Sequence, residues 1–330
     1  FHMQTPEEIA EELFSSLKNM MPGLTMEKTQ SAFISSYAQF RETQKYYRKS
    51  FPVPKKDELR IILLGRPYIV FDSILGKQIT KELEDLGAEV IWQDELDVGD
   101  IKKTFTQKYR ENMHWYFGLQ VLDACEYILQ TPNTYGVYLS CFRCSPDSFL
   151  LSYSSEIMKE AGKPILTISL DELSSQVGYS TRIEAAFHAF KTHAAKNYDG
   201  QKRPTEEKDN TLLPGDTVLI PNLNKLIGRF WSESFCNAGF AAEVLDNSEQ
   251  ALSTGYAYSN GGECMPAVAI VGGMIEKVKE KRLDPKKTAL YLPTLCIACN
   301  FPQFPILARL ARDEAGLEGL KIAIVNSMFQ

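Results

Sequence analysis

Two α/β domains built on parallel sheets, preceded by a helical segment, are the fold this sequence predicts. Three observations carry the prediction. Short apolar runs closed by turn residues alternate with amphipathic stretches between residues 59 and 325, the pattern of strand–helix–strand units. A polar stretch at 196–210, with Gln201-Lys202-Arg203-Pro204-Thr205 inside it, interrupts that alternation and marks a domain boundary. Residues 5–50 carry helical patterning alone. The division that follows is a helical segment with its linker at 1–55, a first α/β domain at 56–197, a linker at 198–212 and a second α/β domain at 213–330. A length of 330 residues agrees with two domains at about 150 residues each.

The helical segment opens on Thr5-Pro6-Glu7-Glu8. A capping hydroxyl, a proline in the first turn and acids near the positive end of the dipole together start a helix. A second helix is expected over 32–47, where Phe33, Tyr37, Phe40 and Tyr47 recur at helical spacing. The run from Arg48 to Lys56, broken by Pro52 and Pro54, ends it and reads as a solvated basic linker. Docking of an acidic partner is the lesser reading. In the first domain, strands are expected at 59–64, 88–92, 136–140 and 164–170, with helices at 73–86, 106–129, 149–161 and 181–194. Thr181 with Glu184 fits a capping box at the start of the last of these. In the second domain, strands are expected at 217–220, 241–245, 288–292 and 321–325, with helices at 222–238, 266–281 and 303–315. Gly272-Gly273 falls inside an apolar helix and reads as a packing feature. The last strand runs close to the end of the sequence, so the chain is expected to be part of a longer protein. Phe1-His2-Met3 reads as a vector remnant.

Composition narrows the function classes. Apolar residues make up 44% and charged residues 24%, which excludes disorder, collagen and a small disulfide scaffold as overall descriptions. Lys plus Arg is 36 against 42 for Asp plus Glu, a net charge of −6 that argues against a general nucleic-acid binder. No apolar run is long enough to cross a membrane, and no signal peptide opens the chain. The expected compartment is therefore the cytoplasm. Cysteine pairs there point to metal or redox chemistry more often than to disulfides.

Seven cysteines are present. Cys125 and Cys236 fall inside expected helices among apolar neighbours and read as buried packing residues. The other five differ. Cys141 and Cys144 form Cys-Phe-Arg-Cys after a strand, and Cys296 and Cys299 form Cys-Ile-Ala-Cys after another. Cys264 lies in Gly262-Glu263-Cys264-Met265-Pro266. Cys144, Cys264 and Cys299 each precede a proline by two or three residues, and each proline precedes a helix. Proline is tolerated in the first turn, so each thiol is expected at a helix N-terminus, where the dipole and free N–H groups favour thiolate. The strand ends carrying Cys144 and Cys299 are the edge at which open α/β sheets bind ligands. Facing each other, the two domains would bring Cys144, Cys264 and Cys299 into one cleft. From spacing alone the chemistry stays open between an iron–sulfur cluster, a zinc site, a dithiol and no site at all.

Several stretches resemble a known family. They are Leu64-Gly65-Arg66-Pro67-Tyr68, Phe142-Arg143-Cys144-Ser145-Pro146-Asp147-Ser148-Phe149, Asp171-Glu172-Leu173-Ser174-Ser175 with Thr181-Arg182-Ile183-Glu184-Ala185, Gly262-Glu263-Cys264-Met265-Pro266 and Cys299-Asn300-Phe301-Pro302-Gln303-Phe304. In that order, between residues 58 and 330, they are similar to the non-ATPase portion of the large activase-related proteins of the 2-hydroxyacyl-CoA dehydratase and benzoyl-CoA reductase system. The resemblance implies flavodoxin-like α/β domains and a cysteine-ligated [4Fe–4S]-type cluster, with the double-cubane cluster proteins as relatives. It implies a partner ATPase, domain or subunit, of the acetate kinase/actin-like type, whose hydrolysis drives a low-potential electron into the cluster. An acyl-CoA substrate or a dehydratase-like subunit would follow, no nucleic acid or membrane is implied, and a homodimer stays open. Cys144, Cys264 and Cys299 fall on the family's motif cysteines. Cys141 and Cys296 stand where the family is expected to have none and are candidates for a fourth ligand, for a larger cluster, or for residues that only line the site. Asn300 and Pro302 replace the family's Arg and Gly, which leaves the cluster type open.

Other polar residues have plainer alternatives. Arg66 is expected either to meet an anion or cluster sulfide or to pair with an acid at the domain interface. Arg182 is expected beside the site or in a salt bridge to Asp171 or Glu172. His114 reads as a packing residue, and the five-residue spacing of His188 and His193 does not make a metal pair. Neither a Walker loop nor Gly-x-Gly-x-x-Gly follows a strand, so no nucleotide site is expected.

Overall fold

The N-terminal helices form as their caps dictate. In α1 (Pro6–Leu17) the Thr5 hydroxyl accepts from the Glu8 N–H at 3.2 Å, and the Glu8 carboxylate accepts from the Thr5 N–H at 2.7 Å. Thr25 caps α2 (Met26–Tyr47), which starts six residues ahead of the expected 32. The computed structural model describes residues 5–55, 58–76, 78–99, 101–110, 113–141, 144–171, 176–196, 211–294 and 299–326. The linker centred on Gln201–Asp209, together with Cys296, Arg143 and Glu172, lies outside the described residues.

The elements that follow are β1 (Leu59–Gly65), α3 (Pro67–Val70), α4 (Ile79–Asp85), β2 (Ala88–Trp92), α5 (Gln107–Arg110), α6 (Tyr116–Gln130), β3 (Thr134–Cys141), α7 (Ser145–Glu160), β4 (Ile165–Leu170) and α8 (Gln176–Ala195). Then come β5 (Thr217–Ile220), α9 (Lys225–Asn237), β6 (Ala241–Val244), α10 (Glu249–Ala257), α11 (Met265–Lys281), β7 (Thr288–Thr294), α12 (Phe304–Glu314) and β8 (Lys321–Asn326). Among the described residues they build two four-stranded parallel sheets, ordered β2-β1-β3-β4 and β6-β5-β7-β8. Both orders are the 2-1-3-4 of flavodoxin-like doubly wound sheets, so the two halves repeat one architecture. The seven residues of β1 are all buried, as expected of a central parallel strand covered on both faces.

Three cores hold these layers. The largest lies between the sheets and joins both halves: Tyr138, Phe149 and Tyr153 from the first meet Ile270, Phe304 and Leu307 from the second. The outer face of the first sheet packs Ile61, Leu63 and Val137 under Phe187 and Phe190 of α8. The outer face of the second packs Val218, Ile220 and Tyr291 under Trp231 and Phe235 of α9.

Four sequence expectations are corrected. The helix expected over 73–86 shrinks to α4, because the Asp72 carboxylate takes the N–H groups of Ile74 and Leu75 and Gln78 adopts a left-handed φ of 57°. The helix expected over 106–129 divides into α5 and α6. The buried Glu126 carboxylate accepts from the N–H groups of Phe105 and Thr106 and folds that segment back, while Trp115 is extended at φ −90° and ψ 121°. Thr181 is not a cap: its hydroxyl donates to the Val177 carbonyl inside α8. Cys236, expected to be buried, is exposed on α9. The sequence reading also missed α10, whose composition (Glu-Gln-Ala-Leu-Ser-Thr-Gly-Tyr-Ala) is weakly helical and which packs on α11.

Candidate cysteine site between the two sheets

Strand order fixes where this site sits. In each sheet the winding order reverses between the first and third strands, and ligands bind outside the carboxyl ends at such a switch point. In the first sheet those ends are Gly65-Arg66 after β1 and Cys141 to Cys144 after β3. Gly65 is required there: at φ 142°, a Cβ would stand 2.3 Å from the Leu139 carbonyl oxygen. Gln93 clamps the same residue, accepting from the Gly65 N–H at 3.1 Å and donating to its carbonyl at 2.9 Å. Arg66 therefore leaves β1 close beside the end of β3.

Cys144 and Cys264 stand at helix starts, as the prolines imply, whereas Cys299 lies ahead of the cap of α12. Cys144 is the cap residue of α7 with Pro146 in the first turn, and Cys264 is the cap residue of α11 with Pro266 in the first turn. Cys299 is exposed and directly precedes Asn300, which caps the single 3₁₀ turn containing Pro302 that leads into α12.

Arg66 pairs with an acid. Its Nε donates to Asp147 Oδ1 at 2.8 Å, and its guanidinium lies 3.6 Å from the centroid of the Phe117 ring. Asp147 is fully buried, and its Oδ2 has no hydrogen-bond partner among the described residues. Burial pushes the Asp147 carboxyl up, against the pull of Arg66. Arg182 donates to the Thr167 carbonyl at 2.6 Å, in the middle of β4.

The two halves meet through hydrogen bonds beside the cysteines. Asn300 Nδ2 donates to Ser145 Oγ at 2.8 Å, which ties the residue after Cys299 to the residue after Cys144. Glu263, next to Cys264, is buried, and its Oε1 accepts from Ser152 Oγ of α7 at 3.1 Å and from the Asn260 N–H at 3.0 Å. Its Oε2 has no partner among the described residues. Tyr153 of α7 donates to Gln303 at 3.1 Å. Sequence reasoning assigned no role to Asp147, Ser152, Glu263 or Asn300. Asp147 and Glu263 were signalled only by lying in the same stretches as motif cysteines.

Electrostatics correct one expectation. Burial pushes the Cys144 thiol up, the Asp147 N–H and the Arg66 guanidinium pull it down, and the Asp147 carboxylate adds to the rise; the net direction is upward. Burial also pushes up Cys264, with nearby Cys299 adding to it, and Cys141. In the ligand-free protein, desolvation thus outweighs the helix N-termini, and these cysteines favour the thiol. A metal or cluster must displace those protons.

Cys141 and Cys144 stand together on the first sheet, and Cys264 and Cys299 influence each other on the second. Among the described residues, no three His, Cys, Asp or Glu side chains are grouped to hold one metal ion. Also among the described residues, no helix is long and apolar enough to cross a membrane.

Residues 1–96 match the family model described as the CoA enzyme activase uncharacterised domain, which relates that part of the chain to CoA enzyme activases. The matched stretch includes α1, α2 and Arg66 and ends before the first cysteine. No curated protein matches the chain.

Proposed function

We propose that this chain is an iron–sulfur electron-transfer module of an ATP-dependent, low-potential system related to the 2-hydroxyacyl-CoA dehydratases. Cys144, Cys264 and Cys299 are the ligands in this reading, with Cys141 and Cys296 as further donors. The observation that carries it is the Asn300–Ser145 bond, which draws two cysteine-bearing helix starts from different sheets together. The donor set suits a sulfur-rich anionic group. Its thiols come from separate helix starts whose first-turn N–H groups lack intrahelical partners, and Arg66 adds a cation within influence of Cys144. Clusters bind each thiolate through a different iron, so they accept thiols set further apart than a single ion does.

When bound, the cluster supplies one-electron chemistry at a potential set by hydrogen bonds, charge and burial. The chain's own residues do the rest. Asp147 fixes Arg66 against Phe117, and that cation offsets negative charge beside Cys144. The apolar core formed by Phe149 and Phe304 keeps water from the inner side. An acetate kinase/actin-like ATPase is the electron donor in this account, and an acyl-CoA or a dehydratase-like subunit is the acceptor.

A second reading is a metal-stabilised scaffold without redox work. It is favoured by α7 and α12, which lead from the cysteines straight into the shared core. Oxygen-free reconstitution with iron and sulfide separates the two. The redox reading expects a visible band that a strong reductant bleaches and that Cys144→Ser, Cys264→Ser and Cys299→Ser each abolish with the fold retained. A band indifferent to reductant, or unfolding in each variant, favours the scaffold.

A further inference from the structure

A second cavity, of about 580 Å³, opens at the carboxyl ends of β1 and β2 under α2 and the start of α6, and no cysteine lines it. Six aromatic rings form its walls: Phe40, Tyr47, Phe71, Trp92, Tyr116 and Phe117. Four of them stay about half exposed, at 54% for Phe40, 57% for Tyr47, 47% for Phe71 and 44% for Tyr116. So many half-covered rings around one cavity mark a binding surface rather than chance exposure. The volume lies within the range of small-molecule sites, about 300–1,000 Å³, and far exceeds what a methylated ammonium head needs.

The polar groups define what the occupant must carry. Asp94 and Glu95 line the cavity at the end of β2 and demand hydrogen-bond donors. Asp94 is partly desolvated, and burial pushes its carboxyl up against the pull of Arg48 and Gln120, which makes it receptive to a donor. Flat aromatic walls favour a flat occupant that stacks on them.

We propose that this cavity binds a planar nitrogen heterocycle carrying hydrogen-bond donors, of about the size of a purine nucleoside. Recognition rests on the ring and its edge, in keeping with a sequence that has no phosphate loop. The site is independent of the iron–sulfur reading. Adenosine and riboflavin share the required chemistry and serve as probes for its two sources, and choline serves as the cationic control.

The test is calorimetric titration of the full chain with each probe. Saturable one-to-one binding of adenosine or riboflavin is expected, and which of them binds identifies the source. Phe40→Ala and Phe71→Ala should each weaken that binding at least fivefold, and Asp94→Asn about tenfold, with circular dichroism unchanged because both phenylalanines are surface residues. Phe117 is left intact because Arg66 packs on it. The proposal is overturned if neither heterocycle saturates at millimolar concentration, if choline binds in their place, or if the phenylalanine variants bind as tightly as the parent.

Discussion

The neighbouring glycines Gly272 and Gly273 should respond to alanine with opposite signs. Both lie in α11, the helix that starts at Cys264. A Cβ on Gly272 would stand 1.7 Å from the Ala251 carbonyl oxygen and 2.6 Å from the Gly255 nitrogen, both backbone atoms of α10. Ordinary contact begins at 3.4 Å, so the two helices would have to separate by 3.4 − 1.7 = 1.7 Å along that direction. Overpacking a tight site costs about 1–3 kcal/mol, and a rigid backbone neighbour places this case near the top. Alanine recovers about 1 kcal/mol of helix propensity, which leaves a net loss of about 2 kcal/mol. A Cβ on Gly273 meets Leu245 Cβ at 3.4 Å and the Asp246 carbonyl oxygen at 3.5 Å, both ordinary contacts. There the propensity gain stands nearly alone, and Gly273→Ala should stabilise by about 0.5–1 kcal/mol. Urea unfolding followed by circular dichroism reads both. Equal shifts in midpoint, or a larger loss for Gly273→Ala, would refute the α10–α11 crossing.

Further expectations follow from the same geometry. Arg66→Met should cost about 3 kcal/mol because it strands the buried Asp147, and Arg66→Met with Asp147→Leu should recover most of that loss; a double variant no better than the single one contradicts the pairing. Burial pushes the Lys163 ammonium from 10.5 down to about 7, so between those values the unfolded chain binds more protons than the native protein and this group's contribution to stability rises with pH. Lys163→Met should remove that part of the slope of urea midpoint against pH, and an unchanged slope would show that Lys163 stays charged. Iodoacetamide at mild alkalinity should label exposed Cys236 quickly and leave Cys125 unlabelled, since burial pushes that thiol up to about 12; mass mapping decides the order.

What the sequence disclosed depended on range. Strands such as Leu59–Gly65 and Ala88–Trp92 were legible because an apolar run bounded by turn residues is a local signal. Helices were misjudged where a side chain from elsewhere took the backbone N–H groups, as Glu126 does at Phe105 and Thr106. The weakly helical α10 was missed because its place is set by backbone contact with α11. At the site, the prolines placed Cys144 and Cys264 at helix starts correctly, whereas the proline after Cys299 lies in a 3₁₀ turn ahead of α12. An acid partner for Arg66 was one of its two expectations, but its identity as Asp147 and the Asn300–Ser145 bond were illegible, since they join residues 81 and 155 positions apart. The thiolate expectation failed at Cys144 and Cys264 because dipole arguments leave out burial. The relation to CoA enzyme activases covers α1 and α2, which the motif resemblance, beginning at residue 58, did not include.

The central claim is that these cysteines hold an iron–sulfur cluster. The most direct measurement is iron, acid-labile sulfide and zinc per chain in protein purified without oxygen, for the parent and for Cys144→Ser, Cys264→Ser and Cys299→Ser. The account predicts iron and sulfide in matching amounts in the parent, loss of both in each variant, and no stoichiometric zinc. Stoichiometric zinc, or iron and sulfide that persist in the variants, would contradict it.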